Sequence, residues 1–226
     1  MISTVLLLRW AHILAMVYWL GGEWGVFQTS YNVINRTLPM AERRRHMETA
    51  YRIDILARTG ILALFPLGMH MGHIYGLQPW GGPFLAGLWV FFALWIGLAW
   101  AAFVHRETDR GIALTRLDER IRFVFIPAIL VAAVASLLGF GPFEAGPNQK
   151  WFASKILVYG GLLVIGLKLR FIMREWTLLF RVLDANPADN AAEATLERSI
   201  RVGRGLAYVY WVGIASVAFL GTVKPF

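Results

Sequence analysis

Six apolar stretches separated by polar connections dominate the pattern of hydrophobic positions along the chain. Each stretch is continuously apolar rather than alternating, and each is close to the length of about 20 residues that a helix needs to cross a bilayer. Backbone groups in a bilayer must pair within their own segment, so these stretches are predicted to be α-helices and not barrel strands. The predicted spans lie near Thr4–Phe27, Ile53–Leu77, Phe84–Val104, Ile121–Phe140, Trp151–Phe171 and Gly205–Leu220.

The predicted fold is therefore all-α, a polytopic membrane helical bundle that forms a single domain over residues 1–226. The composition agrees, because 58% of the residues are hydrophobic and only 16% are charged, against roughly 45–50% and roughly 25% in soluble domains. A soluble core of this size could not bury so much apolar surface. The composition excludes a soluble enzyme, a disordered tail and a secreted disulfide scaffold.

The positive charges predict the orientation of the bundle. Eighteen of the 22 Lys and Arg residues fall within residues 28–58, 105–122 and 168–204, which are alternate connections. Such an excess is typical of cytoplasmic connections, so both termini are predicted to lie outside, in the periplasm of a multi-pass protein of the bacterial inner membrane. The only sizeable cytoplasmic loop would be 172–204, with Asp189 capping a helix inside it. Membrane topology thus explains the net charge of +8, and no nucleic-acid partner is predicted.

Ionisable residues inside the predicted spans are the candidate functional residues, since such groups are costly in a bilayer. The first span carries five residues at steps of 3, 4, 3 and 4, which places them on one helical stripe facing the bundle interior. Glu23, the acidic member, would relay a proton or pair with Arg58. The members of the stripe are Arg9, His12, Met16, Trp19 and Glu23.

The second and fifth spans place further candidates at a similar depth. At 1.5 Å per residue, His12 lies roughly 10–14 Å below the outer surface, and His70 and His73 lie roughly 6–10 Å below it. Lys155 lies about one turn inside the fifth span. One layer near the outer face is therefore predicted to collect three imidazoles with Lys155 and Arg9.

Imidazoles on facing helices, with cations nearby and no cysteine in the chain, fit a b-type haem. The axial ligands would be His12 and either His73 or His70, a choice that the sequence leaves open. Arg9 and Lys155 would neutralise the haem propionates at the outer surface. The predicted function is electron transfer near the periplasmic face, with a quinone or a periplasmic redox protein as partner. Whether the protein is an enzyme stays open; if it is one, it is an oxidoreductase.

Two alternatives stay open beside haem. Met16, Met69 and Met71 lie near these histidines, and thioethers with imidazoles are ligands that a cuprous ion accepts. The layer would then serve copper binding or transport. In the other alternative the histidines are hydrogen-bonded between helices, and the protein is an accessory subunit of a larger membrane complex.

Three stretches of the chain resemble parts of known membrane proteins. The run Arg9–Ala15, continuing to Trp19–Gly22, looks like the opening helix of the CopD copper-resistance proteins and of the related HemJ-type proteins. The run Trp151–Val158 resembles the lysine-bearing helix of both groups. The basic run Arg43–Arg45 is similar to the cytoplasmic approach to their second helix.

The resemblance implies a histidine-containing helical bundle associated with haem or copper. By motif, His12 matches the first-helix histidine and Lys155 matches the helix lysine. HemJ-type proteins bind haem b and oxidise protoporphyrinogen, whereas CopD-type proteins are linked to copper handling at the outer face. The chain departs from the HemJ-type pattern near Ile165 and Gly166, where it has no histidine, and the resemblance assigns no catalytic residue.

Overall fold

The computed structural model describes residues 3–106 and 108–226, and these residues form six α-helices and no strand. Each helix contains a segment long and apolar enough to cross a membrane. The predicted all-α bundle of a multi-pass membrane protein is therefore confirmed, while the side on which the termini lie stays a prediction. The helices are α1 Thr4–Val33, α2 Met40–Ile74, α3 Gly82–Val104, α4 Asp109–Leu137, α5 Lys150–Ala185 and α6 Asn190–Val223.

Several helices extend well beyond the predicted spans. The 36 residues of α5 correspond to roughly 54 Å at 1.5 Å per residue, against a hydrocarbon thickness of about 30 Å. The extensions lie at the end of the bundle that bears the α1–α2, α3–α4 and α5–α6 connections, which we call the basic end. The opposite end, where α1 begins and α6 ends, is the terminal end. Most of segment 172–204 is consequently helical, and Asp189 caps α6 as predicted, accepting hydrogen bonds from the backbone N–H groups of Ala191 and Ala192.

The bundle is apolar outside and partly charged inside. Leu94 and Val124 are 70% and 74% exposed, as expected of side chains that face hydrocarbon. Asp118, Arg122 and Arg170 are instead buried between helices. Charges in a membrane-spanning bundle are stabilised in this way, by turning towards one another and away from lipid.

Small residues bring α1 and α2 into close contact. A Cβ atom added to Gly22 would lie 2.7 Å from the Cβ of Ala57, and one added to Gly60 would overlap the backbone of α1 at Ala15. Small side chains of this kind allow membrane helices to approach closely. The α1–α2 pair and the α5–α6 pair enclose the interior, while α3 packs on α2 and α4, and α4 packs on α5.

Candidate functional site

Two cavities lie between the α1–α2 pair and the α5–α6 pair, at successive turns of the same helices. The outer cavity, nearer the terminal end, has a volume of about 340 Å³ and is lined by residues within segments 9–19, 64–77, 151–159 and 214–224. The inner cavity, nearer the basic end, has a volume of about 70 Å³. It is lined by residues within segments 23–30, 54–61, 163–176 and 200–210, together with Arg122.

The polar stripe of α1 faces these cavities, as its spacing predicted. Arg9, His12, Met16 and Trp19 line the outer cavity. Glu23, one turn further along the helix, lines the inner cavity. The expectation that the stripe is turned inward is thus confirmed, and the stripe contributes to two compartments.

His12 is, among the described residues, the only histidine that lines either cavity. Its ring lies against a part of α2 that has no side chain, since a Cβ on Gly68 would be 3.4 Å from the His12 Cε1 atom. The His12 Nδ1 atom is buried and has no hydrogen-bond partner among the described residues. A buried polar nitrogen left unpaired costs free energy, so such an atom calls for a ligand, an ion or a water molecule.

The charged groups around the outer cavity are all positive. Arg9 of α1, Lys155 of α5 and Lys224 line it, and no carboxylate among the described residues does so. The Lys224 ammonium lies 5.0 Å from the centroid of the Trp151 ring and 5.4 Å from that of Tyr75, within the range of cation–π attraction. This arrangement favours a ligand that combines an apolar body with negatively charged groups.

His70 and His73 point away from the outer cavity. The His70 Nδ1 atom accepts a hydrogen bond of 3.3 Å from the indole N–H of Trp89 in α3. The His73 ring lies against Gly81 in the α2–α3 connection, with its Nδ1 atom buried and unpaired among the described residues. Neither side chain lines the cavity beside His12, and a ligand role for either stays a prediction.

The methionines of the copper alternative are brought to the same cavity. Met16, Met69 and Met71 line it together with His12. Within residues 3–106 and 108–226, no group of three or more His, Cys, Asp or Glu side chains is placed to hold a metal ion. Any metal in this cavity would therefore be bound by one imidazole and by thioethers, or through a cofactor.

The structure contains a buried charged cluster that the sequence analysis missed. Asp118 of α4, which is fully buried, accepts hydrogen bonds from Arg122 Nε at 3.0 Å and from Trp95 Nε1 at 2.7 Å. It also forms an ion pair with Arg170 of α5. The charge distribution groups both arginines with the basic connections, although each also lies at one end of a predicted span. In the structure both are buried inside the bundle. The available signal was the i, i+4 spacing of Asp118 and Arg122, which favours pairing on one helical face.

Glu23 does not pair with Arg58. Arg58 forms its ion pair with Asp54, one turn earlier in α2. Glu23 faces the inner cavity and has no hydrogen bond or ion pair with any described residue. Of the two roles predicted for Glu23, the ion pair with Arg58 is therefore not formed.

An aromatic septum formed by Trp19, Tyr159 and Tyr210 separates the two cavities. The indole N–H of Trp19 donates a hydrogen bond of 3.1 Å to the Tyr210 hydroxyl. The two rings pack edge to face, with their centroids 5.6 Å apart. The ring of Tyr159 packs against that of Trp19, with the two centroids 6.3 Å apart. The Tyr159 hydroxyl donates a hydrogen bond of 2.8 Å to the carbonyl oxygen of Ile61. The septum isolates the outer cavity from the charged groups below it.

No family model, curated protein or solved structure matches the chain. The resemblance to CopD-type and HemJ-type helices accordingly stays a prediction. What each cavity binds is therefore inferred from its own residues.

Proposed function

We propose that the outer cavity binds haem b, with His12 as an axial ligand, and that the protein transfers electrons at the terminal end of the bundle. The observation that carries this proposal is the His12 imidazole, whose buried Nδ1 atom has no partner among the described residues. The imidazole lines a cavity of about 340 Å³, within the range of about 300–1,000 Å³ that is usual for small-molecule and cofactor sites. When bound, haem supplies one-electron transfer at its iron.

The charge of the lining favours haem over a bare metal ion. Haem b has an apolar ring and two propionates, and Arg9, Lys155 and Lys224 offer three cations to such carboxylates. A bare cuprous ion would instead add positive charge to a cavity that already holds these cations. Because charges removed from water need a counter-charge, an anionic amphiphile suits the cavity better.

The walls of the outer cavity provide the apolar slot that a porphyrin ring requires. Phe65 and Phe152 line the cavity together with Tyr75 and Trp151. Gly72 lets α2 come close to the ring of Phe152, because a Cβ atom there would lie 2.7 Å from the Phe152 Cζ atom. Apolar walls lower the local dielectric and so strengthen electrostatic interactions with a bound ligand.

The second axial ligand distinguishes two forms of the proposal. His73 or His70 would complete a bis-histidine site if the face of α2 that carries them turned towards the cavity. Met16, Met69 and Met71 already line the cavity, and histidine with methionine is an established haem ligand pair that raises the reduction potential. Either form makes the partner a quinone or a redox protein at the periplasmic face of a bacterial inner membrane.

Absorption spectra of the detergent-purified protein, oxidised and dithionite-reduced, test this function. We expect a Soret band and sharp reduced α and β bands, which His12→Ala removes and His46→Ala leaves unchanged, because His46 lines neither cavity. His70→Ala and His73→Ala distinguish the two forms of ligation. A wild-type protein without a Soret band, or a His12→Ala variant with the full spectrum, would overturn the haem assignment.

A copper site is the second candidate, favoured by the convergence of Met16, Met69 and Met71 on the cavity of His12. Soft thioether ligands select cuprous copper. In that case elemental analysis of the purified protein would find stoichiometric copper, and its absorption spectrum would lack a Soret band. The double variant M69L/M71L would lose the metal, whereas Met47→Leu, at a buried methionine of the basic end, would retain it.

A further inference from the structure

The inner cavity is faced by polar groups that have no partner among the described residues. Arg170 Nε and Trp176 Nε1 are buried and unpaired there, although both side chains line the cavity. Arg170 is 7% exposed and Trp176 is 4% exposed, so bulk water does not satisfy these donors. The Glu23 carboxylate faces the same space without a partner. The side chains that line this cavity thus carry two donors and one acceptor without a protein partner, which favours a bound ligand.

The size and charge of the inner cavity identify that ligand as water. Its volume of about 70 Å³ accommodates about two molecules at about 30 Å³ each. Water donates to carboxylates and accepts from N–H donors, so it suits a lining that holds Glu23, Arg170 and Trp176. An anion would satisfy the two donors but would be repelled by the Glu23 carboxylate.

Glu23 is the carboxylate of this cavity that forms no ion pair with an arginine of the described residues. Asp54 is paired with Arg58, and the other interior guanidinium groups face Asp118. Arg204 lies over the ring of Tyr31, 3.2 Å from its centroid. The titratable and charged groups that line the cavity around Glu23 are Asp54 and Arg58 of α2, Arg122 of α4, Arg170 of α5, and Arg204 and Tyr210 of α6.

The inner cavity is closed towards the terminal end and has a partly exposed side chain in its lining towards the basic end. On the terminal side the septum closes it, because Trp19 and Tyr210 are 1% and 2% exposed and are hydrogen-bonded to each other. On the other side, the lining includes Arg204, which is partly exposed.

We propose that the inner cavity is a water-filled proton-uptake site in which Glu23 accepts a proton from the basic end of the bundle. The Glu23 carboxylate takes a proton from a cavity water and becomes a carboxylic acid, and that water is reprotonated from solvent. Release follows the same steps in reverse. The site is independent of what the outer cavity binds, and it gives the protein a proton-exchanging group on the opposite side of the septum.

Infrared difference spectra of the purified protein, recorded as the pH is lowered from about 9 to about 6, test this proposal, because exposed carboxylates stay ionised over that range. We expect the wild type to gain a carboxylic C=O band that shifts in D₂O. The isosteric variant Glu23→Gln should lose this band. Glu48→Gln should retain it, since Glu48 lies outside the cavity and pairs with Arg106 at 3.2 Å.

Two further variants keep the assignment testable. Asp54→Asn frees the Arg58 guanidinium in the same cavity, so the band should persist but appear at a lower pH than in the wild type. If Glu23→Gln does not fold, Glu23→Asp should shift both the band and the pH at which it appears. A wild type without the band, a band that persists in Glu23→Gln, or one that moves to a higher pH in Asp54→Asn would overturn the proposal. An unchanged band in Glu23→Asp would do the same.

Discussion

Arg43 joins three helix ends at the basic end of the bundle. Its guanidinium group donates to Glu193 at 2.5 and 2.9 Å, and its Nε donates to the carbonyl oxygen of Val33 at 2.8 Å. Removing one partner of a buried ion pair leaves the other uncompensated, so we expect Arg43→Ala to lower the free energy of unfolding by about 3–5 kcal/mol. Arg45→Ala, which breaks an exposed pair with Glu42, should cost less than about 1 kcal/mol. Denaturant unfolding in detergent measures the free energy of unfolding of both variants. Equal decreases in the two variants would contradict a structural role for the buried Arg43 pair.

Substitution of Lys155 tests whether the positive charges at the outer cavity bind the haem propionates. If its ammonium pairs with a haem propionate, Lys155→Met removes a charge-assisted interaction of about 1.5–3 kcal/mol. Haem should then bind roughly 10-fold more weakly, or worse, in a titration of haem-depleted protein. Lys168→Met in the same helix is the matched control, because Lys168 is exposed and lines neither cavity. Equal affinities for the two variants would remove Lys155 from the binding site.

At the scale of elements, adjacent glycines of α1 test the close packing of the first two helices. A Cβ atom on Gly22 would meet Ala57 at 2.7 Å, whereas one on Gly21 would have nothing within 4 Å. We expect Gly22→Ala to destabilise the protein by about 1–3 kcal/mol through overpacking. Gly21→Ala should be neutral or stabilising by up to about 1 kcal/mol, because alanine favours the helix. Thermal unfolding in detergent compares the stability of the two variants. A Gly22→Ala protein as stable as the wild type would contradict the close contact of Gly22 with Ala57.

The helix extensions at the basic end form a second apolar core. Met173, Trp176 and Phe180 of α5 pack there with Leu196 and Ile200 of α6. This core lies beyond the hydrocarbon thickness that the predicted spans would fill, and it fixes the α5–α6 hairpin against the ends of α1 and α2. The basic end is therefore an ordered part of the bundle and not a loose connection.

At the scale of the whole molecule, the even number of membrane-length helices in residues 3–106 and 108–226 predicts that the start of α1 and the end of α6 lie on the same side of the membrane. The chain has no cysteine, so single-cysteine variants report topology without background. In intact bacterial cells, a membrane-impermeant maleimide should label Phe226→Cys, near the terminal end, and should leave Asn186→Cys unlabelled until the membrane is permeabilised. The opposite pattern would reverse the orientation predicted from the positive charges.

The sequence by itself determined the six helices, their order and the inward stripe of α1. These features are local: a continuous apolar run requires a helix in lipid, and a 3.6-residue period places Arg9, His12 and Glu23 on one face whatever surrounds them. The i, i+4 spacing of Asp118 and Arg122 belongs to the same class of signal.

Only the tertiary structure decided how each helix is rotated and which side chains meet across helices. The membrane part of α2 carries polar residues on more than one face, so its sequence does not fix which face meets α1. In the structure His70 and His73 do not line the cavity of His12. The contact of Asp118 with Arg170 joins residues on different helices and leaves no local trace in the sequence. The two cavities and the septum arise from four helices packing together, and packing between segments distant in the chain is what a local pattern does not encode.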